Sequence, residues 1–486
     1  MEPAGRQRAL PRDVAEALDR ILDGAVADDL ESGVLDFKED PSHTPTRRPD
    51  DKAADMLVKT ACCFANGSAG RGFIVFGIAD RTPGPDAFNG TGRDPAQIAH
   101  QIFAATRPHL TVDAWAAYAH GARIVVIRVP AGLAVYTGPD QVVRHRVGDA
   151  CLPLAGEPLA ELGRARGNPD ATSAASCVPV ERFDAEALDA GRSLLAAAQR
   201  AGTLPNGASG PDRLPALDLL TADGRPSVAA ELLFHRTAGV RHLYRAGATD
   251  AANPPTETVL DLPLVLLAGG LRDLVRAHDD SSVPAAAADE AITNALVHRD
   301  WMRPEPVVVF QSPDLIRVHS PGGLPDGTAA DRLLSGPSQP RNPTLLNAMQ
   351  LLGLERWSSR GFDRMWLAML SSGFEPPVVD AKDDAVDVTL FNGEADMEFV
   401  GLLTAVRAEY GRGVARDAAT LVVLRHLMSA GTVDLQVAAI LQQASEPDAR
   451  SLMTWLAQRG VLQRTARRRD EWRFSDRVAA LVPGTV

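Results

Sequence analysis

The first residues that could do chemistry lie in "ESGVLDFKED" (31–40), where Glu31, Asp36 and Lys38 surround a short apolar core. In an extended strand alternate side chains share a face, so Val34, Asp36 and Lys38 point one way and Leu35 and Phe37 the other. Carboxylate oxygens are the hard ligands that Mg²⁺ or Mn²⁺ takes, and a neighbouring ammonium group can steady a scissile phosphate. Asp80 closes the strand-like run "FIVFGIAD" (73–80), so a third carboxylate converges if the two strands are adjacent. The expected catalytic set is therefore Glu31, Asp36, Lys38 and Asp80, with Glu31, Asp36 and Asp80 as metal ligands. The plain alternative is the solvated face of a surface strand.

A second constellation is "DEAITNALVHRD", in which Glu290, Asn294 and His298 recur at i, i+4 and i+8 on one helix face. Further on, "SPGGLPDG" places Gly322 and Gly323 where backbone N–H groups could approach a ligand that a side chain would exclude. Taken alone, the helix pattern is a polar stripe. A third group is basic: Arg467, Arg468, Arg469 and Arg473 flank Trp472 in "ARRRDEWRFSD", with Arg450 and Arg459 on the helix-like stretch before it. Such a group suits a wing gripping a phosphate backbone.

These residues need elements to position them. At 486 residues, the chain suggests about three or four domains. Its composition, 45% hydrophobic and 23% charged, is that of a globular protein. The expected class is α/β and α+β multidomain. An N-terminal α/β domain spans 12–160, with strands at 73–80 and 123–130 and a helix over 54–66. A connector follows at 178–280, where "SVAAELLFHR" (227–236) reads as a strand. A sandwich-like α/β domain at 281–395 has strands "PVVVFQS" and "LIRVHSP". The last segment, 398–486, reads as short helices, a recognition helix and a basic hairpin, the order of a winged helix.

The net charge of -12 excludes a protein that coats nucleic acid over its whole surface. Residues 401–486 hold twelve arginines and eight acids, so this segment is +4 and the remainder -16. The asymmetry makes the C-terminus the expected contact surface. No apolar run is long enough for a membrane helix and no signal-peptide pattern opens the chain, so a cytoplasmic protein without a membrane partner is expected. Cys62, Cys63, Cys151 and Cys177 form no CxxC and no zinc spacing, which agrees with that location.

The blocks "ESGVLDFKE", "TACCFANGSAGRGFIVFGIAD", "RIVVIRVP" and "VVRHRVGD" resemble, in order, the Schlafen AlbA-type domain. In its nuclease members three acids hold a divalent metal, at positions that fall here on Glu31, Asp36 and Asp80. This chain has Asp36 where the pattern has glutamate, and "SAGRG" where it has Gly-Gly. The later blocks "DEAITNALVHRD", "HSPGGLPDG", "PRNPTLLNAMQLLGLE" and "SRGFDRM" resemble a GHKL ATPase-like domain that often follows the first in bacterial regulators. That resemblance implies Glu290 as water-activating base, Asn294 as Mg²⁺ ligand, and His298, Gly322, Gly323 and Gly361 at an ATP site. Ser320 and Ser359 stand where the wider superfamily has aspartate and glycine, so ATP binding is expected without hydrolysis. The expected function is a nucleotide-responsive, DNA-binding transcriptional regulator, acting as a homo-oligomer by analogy with two-half-site readers. The alternative is a metal-dependent endoribonuclease cutting RNA such as tRNA.

Overall fold

The computed structural model describes residues 10–481 except 44–46, 70, 167–169, 201–216, 247–253, 279–281, 326–327, 337–338, 356–360 and 466–469. The N-terminal domain is built on a four-stranded sheet in the order β1-β2-β4-β3. Its strands are β1 (Leu35–Lys38), β2 (Arg71–Phe76), β3 (Asp113–Ala119) and β4 (Ala122–Pro130). β1 and β2 are parallel, and the other pairs are antiparallel. Both faces are covered, which is why β2 and β4 read as unbroken apolar runs. The helix Pro49–Asn66 and its partner Pro95–Ala105 pack on one face, and Arg12–Leu22 on the other. A separate hairpin, β5 (Arg144–Val147) and β6 (Ala150–Pro153), lies against the helix Pro49–Asn66.

β2 ends at Phe76 because Gly77 adopts a φ of 109°. Asp80 therefore follows a turn and does not close the strand as expected. Asp36 is 1% exposed, so its side of β1 is interior and the solvated-face reading fails.

The central sheet has six strands in the order β11-β12-β10-β9-β7-β8. Here β7 is Thr237–Tyr244, β8 Thr256–Leu262, β9 Val307–Gln311, β10 Leu315–Pro321, β11 Val378–Ala381 and β12 Ala385–Phe391. β7 and β8 come from the segment expected to be a separate connector, and β7 joins β9 in parallel. The two segments thus share one sheet, and the boundary at 280 disappears. "SVAAELLFHR" is a helix, Val228–Phe234, with the Ser227 hydroxyl accepting from Ala230 N at its start. Its apolar residues are buried in the same core as the helix Leu264–Ala277 and the helix Ala285–His298.

The C-terminal part runs helix Ala418–Ala430, β13 (Thr432–Asp434), helices Leu435–Leu441 and Glu446–Gln458, then β14 (Leu462–Arg464) and β15 (Glu471–Phe474). The three strands pair as β13-β15-β14. This is the element order expected for a winged helix. Trp472 is fully buried in its core, so it anchors the hairpin and does not face a nucleic acid.

Among the described residues, no helix is long and apolar enough to cross a membrane. Cys63 and Cys151 are joined in a disulfide, a pairing that the cysteine spacing did not reveal, and Cys62 and Cys177 are free.

Candidate functional site

Glu31 follows the short 3₁₀ turn Asp28–Leu30, and its Oε1 accepts from Phe37 N at 3.1 Å. That bond folds the approach to β1 back on the strand and brings Glu31 beside Asp36. Lys38 Nζ lies 2.8 Å from Asp36 Oδ2 and 3.4 Å from Glu31 Oε1. The β5 residue Arg146 reaches in from the hairpin: it donates to Asp36 Oδ1 at 3.2 Å and to Glu31 Oε2 at 3.5 Å. It also donates to the carbonyls of Ser32, Leu35 and Gly148, and its guanidinium stacks 4.9 Å from the centre of the Phe64 ring.

Two acids therefore face two cations in a closed, nearly neutral cluster. Burial, and then repulsion from Asp36, pushes the Glu31 carboxyl up to about 7, against the attraction of Lys38. Burial disfavours charge on Lys38, yet Asp36, Glu31 and Asp80 together hold its pKa above the ordinary value. Asp80 senses Lys38 but does not join the pair; burial raises its pKa, and its Oδ1 is buried without a hydrogen bond. No group of three metal-ligating side chains comes together among the described residues. With Arg146 and Lys38 against the carboxylates of Glu31 and Asp36, this arrangement does not fit a divalent ion held by three acids. The sequence places Glu31, Asp36 and Lys38 together correctly. It misses Arg146, although "VVRHRVGD" contains it.

The charge state of Glu31 gives a stability test. A carboxyl whose folded pKa lies above its unfolded value of 4.5 binds its proton more tightly when folded. Stability from this group is thus greatest at low pH and declines as pH rises from about 4.5 through about 7. Glu31→Gln is expected to leave the melting temperature near wild type at pH 5 and raise it at pH 8. A lowered melting temperature at pH 8 would show that the charged form is favoured.

The second site surrounds a pocket of about 920 Å³, open mouth included, in the central domain. Asn294 and His298 line it, with Ser320, Gly322, Gly323, Arg332 and Phe362 around them. Gly361 opens the helix Gly361–Ser371 that carries Phe362. Burial, with Arg341 nearby, lowers His298 to about 4 and keeps it neutral at physiological pH. Apolar walls from Ala291, Val318, Phe362 and Val388 suit a flat ring.

Glu290 does not line the pocket, although its carboxylate meets the side chain of Asn294, which does. Arg364 grips Glu290 through two bonds, Nε to Oε2 at 3.0 Å and Nη2 to Oε1 at 2.8 Å, and also donates to Glu355 at 2.7 Å. Burial, then repulsion from Glu355, still pushes Glu290 up to about 7. None of the described residues lining the pocket is acidic. The glycines also serve the backbone: Gly322 N donates to Asp384 O at 2.7 Å, and a Cβ on Gly323 would sit 2.7 Å from the carbonyls of Lys382 and Asp383. The residues present thus fit a ring-bearing ligand such as a nucleoside. Arg364, present in "SRGFDRM", holds Glu290 in this arrangement and is the residue whose role the sequence hid.

One wall of this pocket is a strap that includes Thr328, Arg332, Leu333 and Gly336. Next to Leu333, the amide of Leu334 donates to Gln443 Oε1 at 3.1 Å and the Ser335 hydroxyl bonds to Gln443 O. Gln443 lies in the turn between the helices Leu435–Leu441 and Glu446–Gln458. Arg128 of β4 donates to Ser335 O at 3.2 Å. The strap therefore touches the pocket, the C-terminal helices and the N-terminal domain.

Of the basic residues, Arg450 pairs with Asp470, Arg473 donates to Asp476 at 3.1 Å, and Arg459 stacks 5.2 Å from the Trp455 ring centre. Arg467, Arg468 and Arg469 lie outside the described residues. Exposed Glu446 and Asp448 stand at the start of the helix Glu446–Gln458, so its first turn is acidic.

Residues 31–155 match the family model "Schlafen, AlbA_2". Residues 305–390 match the model described as "Putative ATP-dependent DNA helicase recG C-terminal". No curated protein matches the chain. Among solved structures, the DIP2311 protein from Corynebacterium diphtheriae aligns with a TM-score of 0.59 at 23% identity, over 96% of this chain and 84% of that one, which is a likeness of fold. The chain thus carries a Schlafen AlbA_2-type domain followed by an ATPase-like domain of the recG C-terminal type.

Proposed function

We propose that this protein is a nucleic-acid-binding transcriptional regulator whose ATPase-like domain binds a nucleotide without hydrolysing it. The observation that carries the choice over an endoribonuclease is the ion-pair closure of Glu31 and Asp36 by Arg146 and Lys38. Support also comes from the strap. Through Gln443, a ligand in the pocket bears on the turn of the C-terminal helices, and the +4 charge of that segment suits a duplex backbone. In this reading the C-terminal segment is a winged helix, and the protein acts in the cytoplasm as a homo-oligomer contacting DNA. Mg²⁺ or Mn²⁺ accompanies the nucleotide at Asn294.

The experiment is duplex binding by the purified chain across a salt series, alongside incubation with total RNA with and without Mn²⁺. Salt-sensitive DNA binding with intact RNA is the expected result. Replacing Arg467, Arg468 and Arg469 with alanine is expected to weaken binding to every sequence alike and to flatten the salt slope by about one per lost phosphate contact. An unchanged slope removes those residues from the interface. Mn²⁺-dependent RNA cleavage that Asp36→Ala abolishes would replace the regulator with the endoribonuclease.

A further inference from the structure

The disulfide sits beside the carboxylate cluster, not in a remote part of the fold. Cys63 is buried in the helix Pro49–Asn66, next to Phe64, the ring on which the Arg146 guanidinium rests. Cys151 lies on β6 directly opposite Arg146 in the hairpin register and is the less buried of the two residues. One covalent bond therefore ties the strand pair that carries Arg146 to the helix that carries its stacking partner.

The disulfide adds a covalent tie to the packing of the hairpin on the helix Pro49–Asn66. The hairpin is a two-stranded unit outside the main sheet, with Val147 and Leu152 exposed, and isolated two-stranded hairpins are marginal in water. Its polar ties to the rest of the domain include the Arg146 contacts, the bond from Asn66 Nδ2 to Arg144 O at 2.9 Å and the Arg144–Asp140 ion pair at 2.8 Å, and Arg146 packs closely on Gly67.

We propose that Cys63–Cys151 is a reversible thiol-exchange site whose closed form clamps Arg146 across Glu31 and Asp36, and whose opening uncovers those two carboxylates. The reductant is a dithiol. Its thiolate attacks the Cys151 sulfur, the S–S bond breaks, and Cys63 leaves as a thiolate that takes a proton. The second thiol of the reductant then displaces Cys151 from the mixed disulfide, which leaves the protein with two thiols and the reductant as a disulfide. Exchange with an external disulfide reverses both steps. The inference holds whether the protein binds DNA or cuts RNA, because it concerns only what covers the acids.

The full chain, purified without reductant, is alkylated under denaturing conditions and weighed. Two alkylated cysteines, Cys62 and Cys177, are expected before dithiothreitol and four after it. Reduction of the native protein is expected to speed amide exchange across residues 143–153 and to raise carbodiimide labelling of Glu31 several-fold. Glutathione disulfide should restore both. Cys151→Ser should reproduce the reduced state without reductant, and Cys62→Ser with Cys177→Ser should leave the response intact. Four alkylated cysteines in the air-purified protein would overturn the proposal. So would reduction that changes neither exchange nor labelling, an outcome readable on the wild-type chain even if the Cys151 variant fails to fold.

Discussion

Arg146→Ala is expected to destabilise the N-terminal domain by about 3–5 kcal/mol, the range for removing one partner of a buried ion pair. The side chains involved are deeply enclosed: Arg146 is 4% exposed and Asp36 1%. Without the guanidinium, two carboxylates share Lys38 alone, and the carbonyls of Ser32, Leu35 and Gly148 lose a donor. The fold can relieve this only by protonating an acid, and Glu31, already pushed up to about 7, takes the proton first. Its folded pKa then lies further above the unfolded value, so the added cost is small near pH 4.5 and grows as pH rises through about 7. Urea unfolding at pH 5 and pH 8 measures the difference. Adding Glu31→Gln to Arg146→Ala should recover part of the loss at pH 8. An equal loss at both pH values would mean that Arg146 acts through its bonds to the carbonyls and Asp36 and its packing on Phe64, and not through the charge of Glu31.

What the sequence shows of this site is local. Alternation along Leu35–Lys38 places Asp36 opposite Leu35 and Phe37, and in the fold Leu35 and Phe37 enter the apolar core while Asp36 meets Lys38. The covering of Asp36 comes from a hairpin 110 residues away, which no periodicity can report. The same limit explains β7. Its parallel partner β9 lies across a long insertion, so the sheet could not be assembled from runs of apolar residues. "SVAAELLFHR" failed for a different reason: a short, continuous apolar run fits a strand or a buried helix, and only Ser227 at its start carried a helix signal. Cysteine pairing cannot be deduced from spacing at all, and Cys63–Cys151 spans 88 residues.

Arg364→Ala is the second large loss, about 3 kcal/mol at neutral pH, and it tests what Glu290 does. A step of four residues over-rotates a helix by about 40°, so Glu290 and His298 stand about 80° apart on their shared helix. That drift turns Asn294 and His298 toward the pocket and Glu290 toward Arg364. Glu290 and Glu355 are 10% and 9% exposed at the side chain, and Arg364 is the cation that the two share. Without it they repel, and the Glu290 pKa rises beyond about 7. The penalty is then least near pH 4.5 and increases as pH climbs through neutrality, because the folded state alone holds the extra proton. Arg364→Met with Glu290→Gln should restore part of the stability, since it removes the repulsion between Glu290 and Glu355 and keeps the volume; adding Glu355→Gln, which removes the last carboxylate that Arg364 held, should restore more. The same variants separate a structural glutamate from a catalytic one. If Glu290 is held for packing, Glu290→Gln preserves any thermal shift produced by ATP and Mg²⁺, whereas Asn294→Ala, which alters the pocket lining, removes it. A measured ATPase rate abolished by Glu290→Gln at unchanged stability would return the glutamate to the role that its motif implies, with Arg364 as the residue that must let go of it before water can be activated.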